Sequence, residues 1–198
     1  MAYIDLVTSD GNNGFLKGKI LIAAPAMGDP RFSRTVLYMC GHDQFQAMGL
    51  VINQPMHALH FGILMQQLKL DQDNPNIPQM PVLSGGPVEP ERGFVLHSLD
   101  YNVPEETLKI TPNIGFSAST EILLAIASPN PPAQALLALG LSSWGPGQIE
   151  QELQENAWLI CEPDEDLIFD QDYASKWDRA MHKIGVDPTR FSDIAGHA

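Results

Sequence analysis

Grouped positive charge is what this chain most conspicuously lacks. Eleven Lys and Arg stand against twenty-four Asp and Glu, a formal net charge of −13 at pH 7. The cations are scattered, with only Lys17/Lys19 and Arg31/Arg34 close together. Binding to a nucleic-acid strand draws most of its affinity from Lys and Arg neutralising phosphates, so direct nucleic-acid binding is not expected. The imbalance is steepest between Glu150 and Asp172, where nine acidic side chains occur and no Lys or Arg. That stretch reads as a solvated face, or alternatively as a docking surface for a basic partner.

Cysteine and long apolar runs are scarce too. Cys40 and Cys161 sit in "TVLYMCG" and "AWLICEP", neither within a CxxC, and each reads as a small buried hydrophobe in a reducing compartment. Apolar segments such as Ile122 to Ala127 fall far short of the ~20 residues needed to cross a bilayer. No basic region leads into an apolar core at the start of the sequence. A cytoplasmic protein without membrane association is expected. Nothing repeats at the roughly 20 to 50 residues of solenoids and propellers.

What is present suits one folded unit. The 198 residues are 44% hydrophobic and 18% charged, and the 16 Gly and 16 Pro form no low-complexity tract. The polar, glycine-rich "SDGNNG" from Ser9 to Gly14 predicts a loosely ordered N-terminus over residues 1–14, ahead of a single domain over 15–198.

Apolar patterning predicts strands at Ile20 to Ala24, 34–41 and 47–53, the last two as a hairpin. A helix is predicted over 57–69, with Leu59, Ile63, Leu64 and Leu68 as its inward stripe, followed by the loop "DQDNPNIPQM". Further strands follow at "GFVLHS", "TLKIT" and "NIGFSAS", then a helix "EILLAIAS" capped by Ser119 or Thr120. "ALLALGLSSW" reads as a buried strand, Gln148 to Asn156 as a helix launched by Pro146, and "AWLICEP" as another strand. A last helix over 171–184 aligns Tyr173, Trp177, Met181 and Ile184 and is stopped by Gly185. Hairpins mixed with crossovers predict an α+β fold, a large mixed sheet flanked by about four helices.

Chemistry-bearing patterns are few. In "LSGGPVEPERGFVLH", Gly85-Gly86 is followed by Pro87 and an extended segment rather than by a helix, so it is a poor phosphate cradle. The pair reads as a tight turn, or as a contact site together with Glu89, Arg92 and His97. Cys40 and His42, two apart on a strand, would share a face and pair a thiol with a base, though no third group orients them. His57 and His60 are one helical turn apart, too little for a metal site, and "DEDLIFDQD" has Phe169 where an EF-hand needs glycine. Glu150 and Glu152 point in different directions on one helix, and helix solubility accounts for Glu152. No G-x-S-x-G occurs. No catalytic residue, metal or cofactor is assigned.

Three segments together resemble a known family. "LKGKILIAAPAMGDPRFSRTVLYMCGHDQFQAMGLVINQP" (16–55), "LSGGPVEPERGFVLHS" (83–98) and "LGLSSWGPGQIEQELQENAWL" (139–159) are similar to the bacterial YqgE/AlgH family, as is "FDQDYASKWDRAMHKIGVD" near the C-terminus. The resemblance implies an α+β fold with a large mixed sheet, in some cases with a smaller subdomain. It implies no established catalytic residues, and a regulator label that rests on no DNA-binding motif. Carried over as a candidate ligand- or partner-binding surface are Asp29, Arg34, His42, Asn53, Gly85, Gly86, His97, Trp144, Gln148 and Glu150. Leu141 stands where the family's "GYAGWG" type has tyrosine, which removes a stacking role there. The reading is a cytoplasmic, non-enzymatic binding or regulatory protein contacting a protein or small molecule. The alternatives are a hydrolase or transferase using Cys40/His42 or the Glu150 region, and a DNA-binding regulator, which the charge disfavours. The oligomeric state is left open.

Overall fold

The computed structural model describes residues 16–70, 77–103 and 105–188. The N-terminal segment expected to be loose lies outside these, as does most of the loop that begins at residue 71. The described strands are β1 (Ile20–Ala23), β2 (Val36–His42), β3 (Ala47–Val51), β4 (Pro55–His60), β5 (Pro81–Ser84), β6 (Val88–Ser98), β7 (Thr107–Lys109), β8 (Ile114–Ser117), β9 (Ala135–Trp144) and β10 (Trp158–Cys161). The helices are α1 (Phe61–Gln67), α2 (Thr120–Ile126), α3 (Gln148–Gln154), α4 (Glu165–Phe169) and α5 (Lys176–Lys183), with a 3-10 turn at Pro30–Phe32.

All ten strands join one curled sheet, in the order β10-β1-β2-β3-β9-β6-β8-β7, with β5 and β4 branching from β9. Pairing is antiparallel except between β5 and β9, so the sheet is mixed and the fold α+β. No smaller subdomain separates, because β9 is shared by both halves. It pairs with β3 through Ser142 and Trp144 and with β6 through Ala135 to Leu139.

Burial on both faces explains why the strands read as continuous apolar runs rather than alternating ones. Along β1 and β2, Ile20, Ile22, Tyr38 and Cys40 face the inside of the curl, where Leu167, Ile168, Trp177 and Met181 of α4 and α5 fill it. Leu21, Ala23, Leu37 and Met39 face outward beneath Ile149 and Leu153 of α3. Over the other half of the sheet, α1 and α2 pack Phe61, Leu64, Met65, Ile122 and Ile126 onto Val82, Val95 and Leu137.

Three local expectations change. The predicted helix over 57–69 begins only at Phe61, because Pro55 to His60 forms β4 on β5. Its buried stripe is Phe61, Leu64 and Met65, while Ile63 and Leu68 are 39% and 46% exposed. His57 and His60 therefore stand on an irregular strand rather than on one helical turn, which removes the one-turn pairing. The last helix starts at Lys176 rather than at 171. Ahead of it the acidic run supplies a fifth helix, α4, capped by the Asp164 carboxylate accepting from the Leu167 N–H. Lys176 is wholly buried and donates to the Leu167 and Ile168 carbonyls at 2.8 Å each, tying α4 to α5. Desolvation brings its ammonium down to about 8.

The glycine pair is a close crossing of main chains. A Cβ on Gly85 would lie 2.2 Å from the Gly140 carbonyl oxygen, and one on Gly86 would lie 2.2 Å from the Leu141 carbonyl carbon. Gly85 donates to the Leu139 carbonyl and accepts from the Val51 N–H, stitching β3 to β9. Gly85→Ala must push one backbone off another, and we expect it to cost about 3 kcal/mol, the upper end of overpacking penalties. Chemical denaturation checks this; a variant with unchanged midpoint would refute the crossing.

Candidate functional site

The site grows out of the turn between β9 and α3. Gly145-Pro146-Gly147 reverses the chain, with Gly147 in the left-handed region at φ 73°, and α3 follows at once. The Gln148 side chain folds back, its Oε1 accepting from the Gly145 N–H at 3.1 Å and its Nε2 donating to Glu152 Oε1 at 2.9 Å. The other Glu152 oxygen accepts two indole N–H bonds, from Trp144 at 2.9 Å and from Trp158 at 2.8 Å. One carboxylate thus fixes two aromatic rings from different strands, which meet edge to face with centroids 6.1 Å apart. Phe32 adds a third ring, edge-on to Trp158 at 5.5 Å.

Facing this cluster is the 3-10 turn after β1. Asp29 caps it by accepting from the Arg31 N–H at 3.0 Å, and the Arg31 guanidinium grips the same carboxylate, with Nη2 at 2.6 Å from Oδ2. Those hydrogen bonds hold the Asp29 carboxyl below its ordinary value and raise Arg31 above its own.

Between the two halves lies a recess of about 290 Å³ lined by Asp29, Phe32, Ser142, Trp144, Gln148 and Trp158, with Pro87 from the glycine corner at its edge. Ser142 and Trp144 are two apart on β9 and share the face that turns toward α3. Ser142 is 1% exposed, and its hydroxyl has no hydrogen-bond partner among the described residues.

Three of the candidate residues therefore converge here: Asp29, Trp144 and Gln148. Glu150 leaves α3 in another direction and accepts from His42 Nε2 at 2.8 Å, beside the recess rather than in it. Arg34 pairs with Asp178 at 2.6 Å and stacks on Trp177 at 4.2 Å, docking α5. Asn53 fastens β2, its Oδ1 accepting from the Val36 N–H and its Nδ2 donating to the Arg34 carbonyl, both at 2.9 Å. Gly85 and Gly86 form the main-chain crossing.

His97 is sealed in the sheet. Its Nδ1 donates to the Ser98 carbonyl and its Nε2 accepts from Ser117, which bonds Thr107 in turn, at 3.0, 3.0 and 3.1 Å. Desolvation lowers its pKa.

The thiol-base pairing of Cys40 and His42 does not form. A bulge between Met39 and Gly41 breaks the alternation of β2. Cys40 enters the inner core while His42 reaches α3 on the outer side. Burial pushes the Cys40 thiol far above its ordinary pKa, so it is no nucleophile at neutral pH. Among the described residues, no group of three His, Cys, Asp or Glu is placed to hold a metal, and no helix is long and apolar enough to cross a membrane.

The AlgH-like family model matches residues 20–189. The chain belongs to the AlgH-like family. It is 46% identical over 197 residues to a UPF0301 protein of Bradyrhizobium sp. (strain BTAi1), covering 96% of this chain and 90% of that one. It is 46% identical over 190 residues to a UPF0301 protein of Caulobacter vibrioides, covering 96% and 97%. Among solved structures, the AlgH protein from Pseudomonas aeruginosa superposes with a TM-score of 0.76 at 36% identity, over 97% of this chain and all of that one. A protein from Corynebacterium diphtheriae shares the fold, with a TM-score of 0.70 at 16% identity over 91% and 93%.

For this AlgH-like chain, sequence reasoning passed over Ser142, Phe32, Trp158 and above all Glu152, taken there as a solubilising helix residue. A signal existed: Gln148 and Glu152 are one turn apart and follow Trp144 closely. Glu152→Ala strands two indole N–H groups, and we expect a loss of about 2 kcal/mol with a shift of tryptophan emission, read by denaturation followed by fluorescence. His97 gives a pH signature. With its folded pKa below the ordinary 6.5, the unfolded chain binds the extra proton first. Stability is therefore full above 6.5 and falls as pH drops from there through the folded value. His97→Gln should flatten that limb, checked by melting temperatures across the range.

Proposed function

We propose that this AlgH-like chain is a cytoplasmic, non-enzymatic binding protein with a regulatory role, and that it acts by receiving a ligand group in the recess between α3 and the Asp29 turn. The observation that carries this reading is the Ser142 hydroxyl, buried at the wall of a cavity without a hydrogen-bond partner among the described residues. Leaving such a group unpaired costs about 1–3 kcal/mol, which a ligand atom bonded to it recovers. The surroundings are already organised: Glu152 holds the indoles, Gln148 is fixed at both ends of its amide, and Asp29 is clamped by Arg31. A pre-ordered site loses little entropy on binding. At about 290 Å³ the recess is close to the lower bound of small-molecule sites, roughly 300 Å³, and suits a small metabolite or one side chain of a protein.

A catalytic reading has less to stand on, since the Cys40 thiol is sealed in the core and Glu150 is engaged by His42. Direct operator binding meets the net charge of −13.

The test is protein-observed NMR with a library of small amines, acids and aromatic compounds together with fractionated bacterial extract. Shifts gathering at the Trp144 and Trp158 indole N–H resonances, and reduced in Ser142→Ala, are the expected outcome. Shifts that gather instead at the exposed Glu89–Arg92 segment, or that leave both indoles unmoved, overturn the reading.

A further inference from the structure

Resting on the recess as the binding site, we infer that its occupant is the guanidinium of an arginine side chain carried by a basic segment of a partner protein.

The Glu152 carboxylate in the recess has acceptor capacity to spare. Glu152 Oε1 takes a single donor, from Gln148, and the buried Ser142 oxygen takes none among the described residues. Arg31, the one cation among the described residues lining the recess, pairs with Asp29 through Nε and Nη2. Asp29 and Glu152 against Arg31 leave the site one negative charge in excess. A group that brings N–H donors and positive charge is therefore matched to the recess. A carboxylate or phosphate would supply neither and would meet Glu152.

Flatness selects guanidinium over ammonium. Phe32, Trp144 and Trp158 give the recess aromatic walls, and a planar guanidinium is weakly hydrated, stacks on rings and offers a fork of donors to a carboxylate. The chain uses this combination three times among its described residues: the Arg34 guanidinium lies 4.2 Å over the Trp177 ring while Nη2 bonds Asp178 at 2.6 Å, Arg31 lies 5.8 Å over Phe32 while gripping Asp29, and Arg92 lies 5.3 Å over Phe94 while bonding Glu89. In the recess, Glu152 beside the Trp144 and Trp158 rings is a further carboxylate of this kind, and no Lys or Arg among the described residues is bonded to it. The buried, unpartnered Ser142 hydroxyl separates the recess from an ordinary acidic patch, because a solvated patch leaves no polar group sealed and unbonded.

A protein segment is favoured over a free small molecule by the acidity of α3 and of the chain as a whole. Glu150, Glu152 and Glu155 lie on α3 or at its end, beside the recess, and the whole chain carries −13. Charge of that extent steers and holds a ligand carrying several cations.

The probes are the acetylated, amidated peptide Lys-Gly-Arg-Gly-Lys, the same peptide with citrulline for arginine, and free arginine amide, followed by the Trp144 and Trp158 indole resonances at low and high salt. The arginine peptide should shift both indoles saturably and weaken with salt, and citrulline, equal in shape but uncharged, should bind about tenfold more weakly or worse. Ser142→Ala, whose lost hydroxyl bonds nothing among the described residues, should keep or raise the melting temperature and bind the arginine peptide several-fold more weakly. Equal binding of the citrulline peptide, or unaltered binding by a normally folded Ser142→Ala, overturns the inference. Arginine amide binding as tightly as the peptide overturns the protein partner. Should inorganic phosphate or an apolar compound move the indoles while the arginine peptide does not, this inference fails but the recess stands. Indoles unmoved by any compound or extract overturn both.

Discussion

The phase of β9 changes at Gly140, and the site depends on that change. Before it, Leu136 and Ala138 face the inner core while Leu137 and Leu139 face outward. After it, Leu141 faces inward, and Ser142 and Trp144 take the outer side under α3. A strictly alternating strand would have put Leu141 outward and driven the serine and the tryptophan into the core. The reset is made by a residue at φ 73°, whose Cβ position lies 2.3 Å from the Gly86 oxygen, so only glycine fits. The crossing of Gly85-Gly86 and the bend in β9 are two sides of one contact. The corner that looked like a phosphate loop thus serves the recess indirectly, by setting which side chains reach it.

On that frame the chemistry is assembled by carboxylates. Glu152 gathers three donors from two strands and a helix, and Asp29 gathers the guanidinium and main chain of Arg31. Each fixes aromatic or polar neighbours in place. Such an arrangement makes the rings rigid and leaves Glu152 without a cation partner among the described residues, while Asp29 is neutralised by Arg31. The charge deficit of the sequence and the geometry of the recess thus point the same way.

Much of the fold was legible from residue pattern. Buried strands at 20–24, 47–53 and 135–144 showed as dense apolar runs, and Gly185, at φ 78°, does stop the last helix. What escaped the pattern did so for physical reasons. At 57–69, Phe61, Leu64 and Met65 fit helical spacing as well as the stripe chosen, and only pairing with β5 reveals that the first residues are strand. The bulge at Met39–Gly41 leaves no mark in sequence, yet it moves His42 away from Cys40. Of the candidate site, the motif positions Asp29, Trp144 and Gln148 were legible. Glu152 was not, because its role depends on Trp158 arriving from a strand that follows the helix. Ser142 was hidden because an unbonded hydroxyl is a property of packing alone.

The sheet is closed by its latest strands. β1 lies between β2 and β10, with Ile20 opposite Cys161, and β3 finds its second neighbour only in β9. The sole parallel pair, β5 with β9, likewise joins residues more than fifty positions apart. Contacts so distant in sequence must wait for long loops to close, which makes assembly slow compared with hairpin growth. During synthesis, the β2–β3 hairpin therefore emerges with one edge bare until some ninety further residues have left the ribosome. For a chain of this topology, shielding of that edge in the interval is as much a condition of reaching the native sheet as any contact within it.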